Sequence, residues 1–129
     1  MTSIKSPPKQ IGFISENVIN ALNLSIPKNT PILLGNTNIS HMKSQHPNDF
    51  NKYFPYISDI LDNPDYVGQN PTDDSIEYVK EFTIDNDYVK VAVRISNKGT
   101  LFARSIYTLQ HNRVMNFIQK GTLKQINKV

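Results

Sequence analysis

From residue 76 onward the sequence runs with a period of two. Ile76, Tyr78, Lys80, Phe82 and Ile84 alternate with Glu77, Val79, Glu81 and Thr83, and after Asp85-Asn86-Asp87 the alternation resumes with Val89, Val91, Val93 and Ile95 against Lys90, Ala92 and Arg94. Successive side chains of an extended strand point to opposite faces, so this period marks strands with one apolar face. Asn97-Lys98-Gly99-Thr100 reads as a hairpin turn in which Gly99 can take positive φ, and residues 101–110 form a third run. Three runs at 76–84, 88–96 and 101–110, joined by turns this short, predict an antiparallel meander.

The preceding residues carry helical spacing instead. Residues 11–15 read as an edge strand, Ser15 or Glu16 opens a helix over 17–24, and residues 30–34 form a second β-like run ended by Gly35-Asn36. Thr37 or Asn38 is placed to cap a short helix through Gln45, which ends because Pro47 pushes His46 out of the α region. Phe50, Tyr53, Phe54, Ile57, Ile60 and Leu61 repeat at i, i+3, i+4 and i+7, and Pro55 confines the best-ordered helix to 54–62. After the meander, His111 or Asn112 caps a last helix presenting Val114, Met115, Phe117 and Ile118, with Gly121 as its stop or kink. The expected class is α+β: N-terminal helices packed on a twisted antiparallel sheet, then a C-terminal helix, in one domain over 1–129 with residues 1–10 flexible.

Composition narrows the chemistry. The chain has 129 residues and no cysteine, which excludes a disulfide framework, thiolate metal sites and a Cys nucleophile. No apolar run approaches the roughly 20 residues that cross a bilayer, and the polar start lacks a secretory leader, so a soluble cytoplasmic domain is expected. The net charge is only +3, but residues 89–129 hold Lys90, Arg94, Lys98, Arg104, Arg113, Lys120, Lys124 and Lys128 with no acid. Such a stretch suits phosphate and no less a solvated basic face.

His41 and His46 lie five residues apart at a helix end. That spacing does not stack two imidazoles on one helical face, so no zinc pair and no metal site is expected. Two imidazoles there suit an acid and a base, against the plainer role of capping the helix. Lys80 stands among Ile76, Tyr78 and Phe82 on an apolar face, where it needs a phosphate partner or a way out to solvent. Arg104 and Thr108 share one face of the third run, and Ser105 and Tyr107 the other. Lys43, Arg94, Arg104 and Thr108 are the candidate substrate-binding side chains, and the tyrosines either stack on bases or pack.

Ile39-Ser40-His41-Met42-Lys43-Ser44-Gln45-His46-Pro47 is followed by Ile60-Leu61-Asp62-Asn63-Pro64-Asp65-Tyr66-Val67-Gly68, Ser75-Ile76-Glu77-Tyr78-Val79-Lys80, residues 89–93 and Arg104-Ser105-Ile106-Tyr107. In this order the segments resemble the phage-borne nuclease-like domains grouped with barnase, EndoU, colicin and RelE-type ribonucleases. The resemblance spans about 37–110; residues 1–30 and the last helix carry none of it. It implies helices laid on a four-stranded antiparallel sheet and a metal-independent, cofactor-free ribonuclease site on the open sheet face. Carried over by position, His46 becomes the base and His41 the acid, with exchange of the two roles open. Lys80 offsets charge on phosphorus, and Ser105 and Tyr107 hold its oxygens. The last strand of such domains often reads Thr-x-Tyr, whereas Ser105-Ile106-Tyr107 stands here and keeps the hydroxyl. RNA is the implied partner, and a phage or mobile-element toxin held by an inhibitor or antitoxin protein the implied setting. A non-catalytic RNA- or protein-binding module on the same fold is the alternative.

Overall fold

A computed structural model describes residues 7–126. The elements in order are β1 (Lys9–Phe13), α1 (Glu16–Leu22), β2 (Pro31–Leu34), α2 (Asn36–Gln45), α3 (Pro47–Tyr53), a 3-10 turn (Phe54–Tyr56), α4 (Ile57–Asp62), β3 (Tyr66–Gln69), β4 (Ile76–Phe82), β5 (Asp87–Ile95), β6 (Leu101–Leu109), α5 (His111–Gln119) and β7 (Leu123–Gln125). Helices and sheet together make an α+β fold.

The meander β4–β5–β6 forms the middle of a seven-stranded sheet ordered β1-β2-β6-β5-β4-β3-β7. All neighbours are antiparallel except β2 and β6, which run parallel through Ile32↔Leu101 and Leu33↔Phe102. The sheet is therefore wider than the four strands expected, and mixed. Strands β3 and β7 have four and three residues, too few for a period to show. They lie close: a Cβ on Gly68 would collide with the Thr122 carbonyl, so glycine is what fits there.

Several boundaries move for identifiable reasons. Strand β4 stops at Phe82 and leaves Ile84 98% exposed, because the turn into β5 takes Thr83 to Asn86, with Asn86 at φ 57°. Pro55 breaks the expected 54–62 helix into a 3-10 turn and α4, since it has no N–H for the helical ladder. Helix α2 begins at Asn36 behind Gly35, and Asn38 is its third residue, accepting the Gly35 N–H at 2.8 Å, not its cap. Gln110, not His111 or Asn112, precedes the first turn of α5. Of the segment expected to be flexible, residues 1–6 lie outside the described residues, whereas Lys9 and Gln10 are strand residues paired with Leu34 and Leu33.

The sheet has two faces. Val89, Val91, Val93, Ile76, Tyr78, Leu101, Ala103 and Ile106 build the main core with Val18, Met42, Phe50, Tyr53, Ile57 and Ile60 from α1 to α4. On the second face, Val79, Tyr88 and Leu109 pack against Val114 of α5 and Leu123 of β7. That helix covers only one end of its face. Tyr107 packs at the margin of that cluster, and beyond it β5 and β6 carry the exposed Arg94 and Arg104, with Asn38 and His41 of α2 at their side.

Candidate active site

A β-bulge decides which side chains this open face displays. Ala92 pairs with Ser105 and Val93 with Ala103, leaving Arg104 as an extra residue in β6. Before the bulge the core side is taken by Leu101 and Ala103, after it by Ile106. One extra residue resets the alternation, so Phe102, Arg104, Ser105 and Tyr107 come to share the open face. This corrects the expectation that Arg104 sits with Thr108 and opposite Ser105. The signal stands in the apolar residues themselves: Leu101 and Ala103 are two apart, and the next core residue, Ile106, comes after a step of three.

His46 reaches the same face from the joint between α2 and α3. Its N–H donates to the Met42 carbonyl at 3.1 Å and its carbonyl accepts from Phe50 at 2.8 Å, so its backbone is held from both sides. Pro47 opens α3, where its missing N–H has no ladder partner to lose. The joint is latched to the sheet by Asp49, whose Oδ2 accepts the Thr108 N–H at 3.0 Å and the Thr108 hydroxyl at 3.2 Å. The exposed His46 ring stacks on Tyr107 with centroids 4.6 Å apart.

Beneath Tyr107 lies an ion pair. Lys90 Nζ donates to Glu77 Oε2 at 2.7 Å and sits 4.9 Å from the Tyr107 ring centroid, with the two charged side chains only 11% and 9% exposed. Burial alone would lower the Lys90 ammonium, but the Glu77 carboxylate and the Tyr107 hydroxyl outweigh it and raise the pKa above the ordinary lysine value. Lys90 is thus a fixed cation whose charge is met by Glu77. Arg94 and Arg104 differ from it. Among the described residues neither forms an ion pair, and both are exposed. Their charge is felt by Asp73 on the neighbouring β3–β4 turn, whose carboxyl is lowered chiefly by hydrogen bonds from Ser75 and further by the two guanidiniums. Both arginines line a cavity of about 470 Å³ together with His41, Asn38, Asn97 and Phe102.

The structure therefore gathers His46, Tyr107, Ser105, Arg104, Arg94 and His41 along one open strip. It does not bring Lys80, Thr108 or Lys43 there. Lys80 shares the face of Ile76 and Tyr78, as alternation requires, and that is the helix-covered face: its Nζ donates to the Asn63 carbonyl at 2.9 Å and lies 3.9 Å from Asp59. The Thr108 hydroxyl is engaged by Asp49. Lys43 lies over the Phe50 ring, 5.6 Å from its centroid. The lysine on the strip is Lys90, legible from the alternation that sets it opposite Val89 and Val91 and with Arg94. Among the described residues no group of three or more His, Asp or Glu is placed to hold a metal ion, and no helix is long and apolar enough to cross a membrane.

Residues 9–116 match the model of a family described as phage-Barnase-EndoU-ColicinE5/D-RelE like nuclease3. The match takes in β1, α1, β2 and most of α5, beyond the 37–110 stretch in which the sequence motifs lie. No curated protein and no solved structure matches the chain.

Proposed function

The chain belongs to the phage-Barnase-EndoU-ColicinE5/D-RelE like nuclease family, and from that premise we propose that it is a metal-independent endoribonuclease that cleaves RNA by transesterification. One observation carries the reading: the β6 bulge sets Arg104 and Ser105 on the face of Tyr107, between the His46 ring and the cavity that holds His41. Attack of a ribose 2′-oxygen on the adjacent phosphorus needs a proton acceptor, a proton donor and cations for the charge that builds on the phosphate oxygens. The strip offers a candidate for each.

In this reading His46 takes the 2′-hydroxyl proton as the new O–P bond forms. His41 gives a proton to the 5′-oxygen as the old O–P bond breaks, leaving a 2′,3′-cyclic phosphate and a 5′-hydroxyl. Arg94 and Arg104, free of ion pairs among the described residues, offset the phosphorane charge in the place first given to Lys80. Ser105 and Tyr107 donate to non-bridging oxygens, and Lys90 holds Tyr107 from below. A phage or mobile-element effector acting on RNA in the host cytoplasm would have this chemistry.

The test is cleavage of a single-stranded RNA in excess EDTA. Wild type is expected to yield a 2′,3′-cyclic end and to leave the all-deoxy strand intact, which lacks the nucleophile. His46→Ala should lower the rate by about 10²–10⁴-fold with the unfolding temperature nearly unchanged, because that side chain is exposed. Cleavage abolished by EDTA, or undiminished in His46→Ala, would overturn the reading; salt-dependent RNA binding without cleavage would favour a binding module instead.

A further inference from the structure

We infer that the cavity beside His41 is a nucleobase subsite, taking the base of the nucleotide on the leaving-group side of the cut; the inference rests on the ribonuclease reading. At about 470 Å³ the cavity falls within the roughly 300–1,000 Å³ range of small-ligand sites and has room for a nucleoside. A channel for backbone alone would need only cations. This cavity has in addition a half-buried aromatic, Phe102, on the sheet beside Arg94, to which it is paired in register. A flat ring in a cationic groove suits stacking, because every base has a π-face.

Two amides supply groups that can meet a base edge. Asn38 is fixed by the Gly35 N–H, which donates to its Oδ1 at 2.8 Å and leaves its Nδ2 hydrogens for a ligand. Asn97 projects from the β5–β6 turn, and that turn is stiff. Ser96 Oγ accepts from the backbone N–H groups of Lys98 at 3.3 Å and Thr100 at 3.0 Å, while Gly99 takes φ 81°. Carboxamides carry both donors and acceptors, as base edges do. Arg94 and Arg104 provide for the flanking phosphates, and His41 on the same wall ties the cavity to the 5′-oxygen that leaves. The enzyme would then select the nucleotide that follows the cut.

The experiment uses the full chain and two readouts. The first is cleavage of short RNAs that differ only in the base after the cut. The second is binding of a fluorescent all-deoxy oligonucleotide, which cannot be cut, followed by anisotropy. Phe102→Leu keeps an apolar side chain in the sheet but removes the ring, and should weaken binding about tenfold. Asn97→Ala, in an exposed turn, should flatten the preference for the following base and raise KM more than it lowers kcat. Wild-type binding and preference in both variants would overturn the subsite, as would a preference that follows the base before the cut. Weakened binding in Phe102→Leu alongside a wild type that cuts no RNA would uphold a base site and sink the ribonuclease reading alone.

Discussion

Tyr78 is fully buried in the main core, and its phenol hydroxyl has no hydrogen-bond partner among the described residues. Such a group forfeits its water without compensation, and burial holds its pKa well above the ordinary tyrosine value. Tyr78→Phe should therefore raise stability by about 1 kcal/mol in urea unfolding; a loss of that size would reveal a buried water on the hydroxyl. Two other phenols make alkaline pH the weak side of the fold. Tyr53 is pushed up to about 12 by burial and then by its hydrogen bond to Asp87, and Tyr88 to about 12 by burial and then by Glu81. The folded state keeps these protons beyond the unfolded value near 10, so the stabilisation is whole below about pH 10 and is lost as pH rises toward 12. Lys90, also raised, acts in the same direction. Denaturant midpoints measured from pH 9 to 12 should fall through this window, and less steeply in Tyr53→Phe. An unchanged slope in that variant would remove Tyr53 from the account.

The elements differ in how far the sequence discloses them. Strands β4, β5 and β6 are long enough for alternation to identify them, and His46-Pro47 marks the end of α2 through backbone sterics alone. Strands β3 and β7 become strands only because a partner edge is there to pair with, which is tertiary information. Lys80 was legible as a cation on an apolar strand face, but which face stays open depends on where α1 to α4 dock. The Asp49–Thr108 latch, joining residues 59 apart, leaves no local trace. It ties the first turn of α3, three residues from His46, to the strand that carries Tyr107. Asp49→Ala leaves a strand-edge N–H and a hydroxyl unpaired, which should cost about 1–3 kcal/mol. It should also cut kcat roughly tenfold to a hundredfold, because a misplaced base loses its geometry before it loses its chemistry. Gly68→Ala supplies the contrast: it forces β3 and β7 apart at the far edge of the sheet, with a similar loss of stability and little change in kcat per folded molecule. Equal kcat losses in the two variants would mean that the latch contributes stability alone.

Across the whole molecule, the described part of the acid-free run from residue 89 onward does not fold into one basic surface. Lys90 is matched by Glu77, Arg113 lies over Phe117 of α5, and Lys120 and Lys124 stand at the β7 end of the sheet, where Lys124 donates to the Ala21 carbonyl. Among the described residues, Arg94 and Arg104 are the lysine or arginine side chains that line the cavity beside His41. A modest net charge of +3 can thus serve a polyanion if two guanidiniums do the contacting, and salt dependence measures that number. On a single strand each phosphate contact adds about 0.7 to the slope of log affinity against log salt. Arg94→Gln or Arg104→Gln should each lower the slope for an all-deoxy oligonucleotide by about 0.7, and the double variant by about 1.4. Lys120→Gln should leave it unchanged, because Lys120 lines a separate hollow with Gln69, Pro71 and Lys124 beside the β7 edge. A slope that responds equally to all three positions would show binding through diffuse charge, and the two arginines would then have no privileged part in holding the strand over Ser105 and Tyr107.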